Sequence, residues 1–419
     1  MGDLPAPQSS KDRVARICLS NVTVSSSKIV RYGSSSRCQP SHPLIRARRD
    51  LKKSSQILGI SRLRGLAALV VVFMHCVMVL PVDLSAAPFY ASGYYGVSLF
   101  FAISGFLITT NILRRYGTVG AVNVSDFYVM RAARILPCLT LLIVLLSVLA
   151  IVRYPGFAFE EGSSLGKANW SVLTLSFNKL GMAVPLGWAV LWSLSIEEAF
   201  YVLYPVIAIV LRKEKVLIGV LLLVIVYGIS GRTTPSNLFT YRGCFDLIAM
   251  GALAAIAAHR PKAPQWSLVW AKWLGAVITL SAYLFLPVRE HVTVGPSLIA
   301  LGGVMMLYAL KVEEDRATRP QRLSLLGTIG ECSYELYLFH YSVFVLVASG
   351  LTGIFGGGSY ISVAVALVTA LCVSLAVQRY LSDPLNARIR ELFVRRTPAA
   401  ASRQTMEVLG PPATAATRQ

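Results

Sequence analysis

Ten apolar segments, each close to the ~20 residues that span a bilayer as a helix, follow one another through most of this chain. They cover about 59–80, 94–113, 135–152, 188–211, 215–231, 241–258, 270–287, 293–310, 329–350 and 361–381. Lipid offers no partner for an open backbone, so each segment is predicted to be a helix. The expected fold is therefore all-α, a polytopic transmembrane bundle of about ten helices. Charged residues make up only 14% of the 419 residues, against roughly 25% in a soluble domain. That deficit excludes a coiled coil, disorder through the main body and most soluble enzymes. Seven cysteines without a C-x-x-C pair suggest neither a disulfide framework nor a zinc site, and no metal is expected.

Three regions are expected. Residues 1–57 hold eleven Lys/Arg and many Ser, with no apolar run for a secretory signal. They read as a basic, disordered cytoplasmic tail, though a transit peptide or upstream sequence from a misplaced start codon has the same composition. Residues 58–388 form the membrane domain, and 389–419 a second disordered cytoplasmic tail. With the N-terminus inside, thirty-two Lys/Arg lie on the inner side and five outside: Arg153, Lys167, Lys179, Arg232 and Arg289. Ten spans return both termini to the cytoplasm. The net charge of +20 is then a topology signal, and no nucleic-acid partner is implied. The longest outer loop, about 153–187, is expected to contain a short interfacial helix around Trp170.

Ionisable side chains at membrane depth are costly and mark candidate sites. Arg64 and His75 are eleven residues apart in the first span, about three turns, so they share a face roughly 16 Å apart along the axis. Alone, Arg64 also reads as a snorkelling anchor and His75 as an interhelical hydrogen bond. Arg131 and Arg134 share a face at i,i+3 just before the third span, where two guanidinium groups suit phosphates or simply mark the inner side. The fourth span opens Trp192-Ser193-Leu194-Ser195-Ile196-Glu197-Glu198. Adjacent carboxylates point about 100° apart, so at most one is expected to face a given site, where it could orient an imidazole. In the ninth span Tyr334, Tyr337 and Tyr341 line one side around His340, a pattern that also fits a polar packing seam. Arg242 and Asp246, at i,i+4, are expected to pair with each other.

In this order the motifs resemble those of the integral-membrane acyltransferases called acyltransferase type 3. Arg64 to His75 is similar to the family's first-helix Arg/His motif, and Gly96 to Ile108 to its second-helix motif. Phe127-Tyr128 through Arg131, Arg134 and Pro137 resembles its R-x-x-R stretch. Trp192 to Ser195 with Glu197, Glu198 and Tyr201 resembles the fourth-helix motif, and Ser333-Tyr334 to His340 the penultimate-helix motif. The resemblance covers about 57–390. Ser61 and Ser98 stand where the family usually has Asp, and Ser382-Asp383-Pro384 where it usually has Glu before Pro. With no esterase-like segment after the last span, the chain looks like the stand-alone form.

The resemblance implies transfer of an acyl group, usually acetyl, from cytoplasmic acyl-CoA to a hydroxyl of a surface or exported carbohydrate or glycolipid. It implies a multi-pass protein of the bacterial inner membrane, no permanently bound cofactor, acetyl-CoA or another acyl-CoA as donor, and polysaccharide-biosynthesis proteins as neighbours. Arg64, Arg131 and Arg134, with Trp192 and Tyr337, are the substrate-binding candidates. His75, Glu197, Glu198 and His340 are the catalytic candidates: His75 as general base or covalent acyl acceptor, a carboxylate to orient it, and His340 to assist the acceptor. A transporter or flippase for an acyl donor or lipid-linked saccharide is the alternative that intramembrane ionisable residues also fit. The charge bias carries a test: a periplasm-only reporter fused at Lys167 should be active and one fused at Asn123 silent. The reverse pattern would overturn the orientation.

Overall fold

The structure, a computed structural model, describes residues 58–80, 93–160, 163–181, 184–261, 263–317, 324–355 and 360–394. The expected tail over residues 1–57 and most of that over 389–419 lie outside these. All regular structure among the described residues is helical. In chain order the helices are α1 (Leu58–Val79), α2 (Tyr94–Tyr116), α3 (Val124–Ile151), α4 (Leu165–Leu173) and α5 (Leu191–Leu211). Then follow α6 (Glu214–Gly231), α7 (Tyr241–His259), α8 (Gln265–Phe285) and α9 (Val294–Arg316). The remainder are α10 (Leu325–Glu331), α11 (Ser333–Phe355), α12 (Tyr360–Val377) and α13 (Asp383–Val394).

Among the described residues nine helical stretches are long and apolar enough to cross a membrane. Helix α11, 23 residues with one acidic group, packs beside α1 and α12 and supplies the tenth long helix of the sequence pattern. Two boundaries differ from expectation. Helix α3 starts eleven residues early, at Val124, because the side chain of Asn123 accepts from the Asp126 N–H and caps it. At the other end the chain stays helical to Val394. A π turn over Gln378–Ser382 joins α12 to α13, which lies along α3. The long loop does form a short helix, α4, with Trp170 exposed.

Small residues decide which spans touch. Helices α2 and α7 make the most extensive contact in the bundle. A Cβ on Gly105 would stand 1.9 Å from the Ile248 carbonyl oxygen, and one on Gly251 1.9 Å from that of Ala102. Only glycine permits this backbone approach, and dispersion over the close crossing does the work that hydrophobic burial does in water. The long loop folds back on α11: Trp188, fully buried, meets the rings of Phe159 and Phe177 and shares one apolar cluster with Leu338 and Tyr341 of α11.

One polar cluster overturns a sequence expectation. Asp246 does not pair with Arg242. Its two carboxylate oxygens accept from Arg232 Nη1 at 2.7 Å, and both side chains are fully buried. Arg232 also donates to the Gly243 carbonyl at 2.8 Å and to Ser297 Oγ, tying α6, α7 and α9 together. Asp246 faces the bundle where Gly228 of α6 leaves room for it. Arg242 points outward and lies over the Tyr227 ring, 4.2 Å from its centroid. Removing one partner of a buried pair strands the other charge, so Arg232→Ala should cost about 3–5 kcal/mol. The measurement is thermal unfolding of the detergent-purified protein. Adding Asp246→Ala should restore part of the loss, and strictly additive losses would show that the two do not act as a pair.

Candidate active site

Helix α1 meets α10 and α11 through a second glycine contact. A Cβ on Gly330 would stand 1.7 Å from the Ser61 carbonyl oxygen, and one on Gly65 2.2 Å from that of Leu326. This approach brings the Arg64/His75 face of α1 against α11. Arg64 Nη2 donates to Ser333 Oγ at 2.8 Å. Three turns further on, His75 Nδ1 lies 3.0 Å from His340 Nε2. The shared face read from the spacing is therefore real, and one neighbouring helix takes both residues. His340 is fully buried, with Nδ1 3.0 Å from the Leu336 carbonyl oxygen. Tyr341 sets its ring edge-on to His75, with centroids 4.7 Å apart.

The second cluster centres on Arg131. Because α3 starts at Val124, Arg131 and Arg134 lie inside the helix rather than ahead of it. Arg131 Nη2 is 3.3 Å from Oε1 of both Glu197 and Glu198. Its guanidinium carbon sits 3.5 Å from the centroid of the Tyr201 ring, a cation–π contact. Glu197 Oε1 also accepts from Tyr201 OH at 2.5 Å and Ser104 Oγ at 2.6 Å. Two expectations fail here. Both carboxylates share one site, because a long guanidinium reaching in between α5 side chains spans the ~100° between them. Neither orients His75, whose ring partner is His340. Arg131 is thus largely occupied by carboxylates, whereas Arg134 makes no hydrogen bond or close ion pair among the described residues.

Arg64, Arg131, Arg134, Glu197, Glu198 and Tyr337 all line one cavity of ≈ 90 Å³ between α1, α2, α3, α5 and α11. His75 and His340 are not on its wall. Tyr337 is, and its ring stands 5.9 Å from that of His340 and 6.0 Å from that of Phe100. Its hydroxyl is 2.6 Å from Ser193 Oγ. The cavity and the histidine pair are therefore neighbours with Tyr337 at their boundary. Trp192 is also off the wall. It stacks on Tyr94 with centroids 5.9 Å apart and meets Phe239 edge-on at 4.7 Å.

Residues 57–378 match the model of a family described as an acyltransferase domain, that of the type 3 acyltransferases. The chain belongs to this family. It is similar to the peptidoglycan O-acetyltransferase OatA of Listeria monocytogenes, 27% identical over 69% of this chain and 49% of that protein. It is also similar to the O-acetyltransferase OatA of Staphylococcus aureus, 23% identical over 79% of this chain and 57% of that one. The chain spans about half the length of these relatives. No solved structure matches it. The chain is a multi-pass membrane protein, in line with its helices and its family.

Sequence reasoning left three contributors without a role: Ser104, Tyr201 and Ser333. The signal for Tyr201 was its i,i+4 position from Glu197, and for Ser104 its place in the second-helix motif. Among the described residues Glu197 serves three donors and Glu198 one. Glu197→Gln should therefore lower acyl transfer roughly ten- to a hundredfold, and Glu198→Gln less, because hydrogen bonds to an ionised group are the stronger ones. Turnover of the two purified variants decides. Equal losses would mean that the pair acts only as a counter-charge for Arg131.

Proposed function

We propose that this chain is a membrane O-acyltransferase that moves an acyl group, acetyl foremost, from acyl-CoA to a hydroxyl of a carbohydrate. We assign the acceptor to a surface or exported polysaccharide, peptidoglycan or glycolipid; peptidoglycan is the acceptor in the name of the Listeria relative. The donor enters at the arginine end, which the charge bias makes cytoplasmic, and the protein resides in the bacterial inner membrane with both termini inside. The observation that carries this reading is the pairing along one face of α1: Arg64 on a cavity wall with Arg131 and Arg134, and three turns further on the His75 imidazole.

Each part suits a different portion of an elongated, anionic thioester. Guanidinium groups bind phosphate oxygens through paired N–H donors. Arg134, without a close partner among the described residues, and Arg64, held by a neutral hydroxyl, are the freer of the three. Arg131, balanced by Glu197 and Glu198, sets the shape of the cavity wall. An imidazole is the side chain suited to exchange a proton near neutral pH. In the transfer the acceptor oxygen bonds to the thioester carbonyl carbon while its proton passes to His75. The C–S bond then breaks, and the proton goes to the departing sulfur.

A cavity of ≈ 90 Å³ holds a few waters but not the arm of coenzyme A. Binding therefore requires the wall to open, and Tyr337 and Phe100 are the side chains at the boundary with the histidines. This step is a lid motion within the bundle, and its cost comes out of donor binding.

Two substitutions on α1 test the reading. Arg64→Ala should weaken acyl-CoA binding, and Arg64→Lys should recover only part of it because a point charge lacks the planar fork. His75→Ala should abolish transfer and leave acyl-CoA binding nearly intact. Acyl-CoA binding and acetyl transfer are measured on the same detergent-purified variants. A fully active His75→Ala protein overturns the mechanism. A wild-type protein that binds acyl-CoA without transferring from it favours a transporter.

A further inference from the structure

The hydrogen bonds around His340 constrain a feature of His75 that no distance by itself states, namely which ring nitrogen carries the proton. A carbonyl oxygen only accepts, so the 3.0 Å contact between His340 Nδ1 and the Leu336 carbonyl requires a proton on His340 Nδ1. His340 is fully buried, and among the described residues no carboxylate pairs with either histidine. Its ring neighbours are Tyr337, Tyr341 and Phe344. An imidazolium there would be a buried charge without compensation, so the neutral ring is the favoured form. In a neutral ring with a proton on Nδ1, Nε2 is an acceptor. The atom facing that acceptor at 3.0 Å is His75 Nδ1, which must therefore donate. A neutral His75 with its proton on Nδ1 has a bare lone pair on Nε2.

We propose that His340 is a positioning residue that holds His75 in the Nδ1–H tautomer and makes Nε2 its reactive atom. The inference rests on the transferase reading for its consequence, though not for its geometry. The relay runs from His75 Nδ1–H to His340 Nε2 and from His340 Nδ1–H to the Leu336 carbonyl, one turn back along α11. When His75 Nε2 takes the acceptor's proton, the Nδ1–H bond to His340 stays in place, and the new positive charge faces a chain of dipoles ending on a backbone oxygen. The proton returns from Nε2 to the departing sulfur, and His340 neither gains nor loses one. Its role is that of the group that orients the base in a hydrolase triad, filled here by a neutral ring. This also separates His340 from the acceptor: it acts through His75, with no need to touch substrate.

The tautomer is directly readable. The 419-residue chain contains five histidines, so ¹⁵N-histidine labelling in detergent micelles gives a small set of ring resonances, and the His75→Gln spectrum assigns those of His75. The wild type should show His75 with Nδ1 protonated and Nε2 bare. His340→Phe should move His75 toward the Nε2–H form that a free histidine side chain prefers. His340→Ala should lower turnover roughly a hundredfold or more, within the range that a misoriented base produces. Its KM for acyl-CoA should stay within about twofold, because no donor contact is lost. His340→Gln places an amide oxygen near the former Nε2 position and should recover at least roughly tenfold over Ala. A protonated His75 Nε2 in the wild type overturns the proposal, as does a Gln variant no better than Ala at equal protein level. The spectrum is recorded without donor or acceptor, so its outcome is independent of whether the wild type transfers acetyl.

Discussion

A charge between apolar helices cannot borrow solvation, and the arrangement of this bundle follows the few places where charges answer one another. At one of these, Arg232 uses both Nη atoms on Asp246, Gly243, Thr293 and Ser297, and in doing so joins three helices. At another, Arg131 lies between Glu197, Glu198 and the face of Tyr201. In the first cluster the Arg232 and Asp246 side chains are fully buried. The second lies on a cavity wall and keeps part of its surface open. Both meet the desolvation cost of charge in a low dielectric, the first between two side chains that are fully buried and the second where polar side chains converge on one cavity.

The site itself is divided. Its arginines surround a cavity, and its histidines lie beyond Tyr337, hydrogen-bonded to each other. For the proposed transfer from a charged donor to a hydroxyl acceptor the division has a physical use. A thioester that reached the imidazole together with water would be hydrolysed, and a base held off the cavity wall would protect such a donor. The Tyr337–Ser193 hydrogen bond and the Phe100 contact hold that boundary. The glycine contacts between α1 and α10 hold the other side, since they fix how closely Arg64 and His75 approach α11.

Much of this was legible in the chain. The length and apolarity of the spans follow from the bilayer alone, because lipid leaves a spanning backbone no alternative to the helix. The periodicity of a helix then placed Arg64 and His75 on one face, and Arg131 and Arg134 on another, without any knowledge of their neighbours. The motifs carried the family. What one dimension did not carry was partnership. Asp246 lay four residues from Arg242 and took Arg232, because its helix face points inward and Arg242 points out. Glu197 and Glu198 stood near no imidazole and met Arg131, because α5 packs where α3 presents that guanidinium. His75 found a ring 265 residues away. Apolar spans resemble one another in composition, so sequence cannot say which lies beside which. That choice belongs to the small residues that let two particular backbones approach, and the identity of every buried partner follows from it.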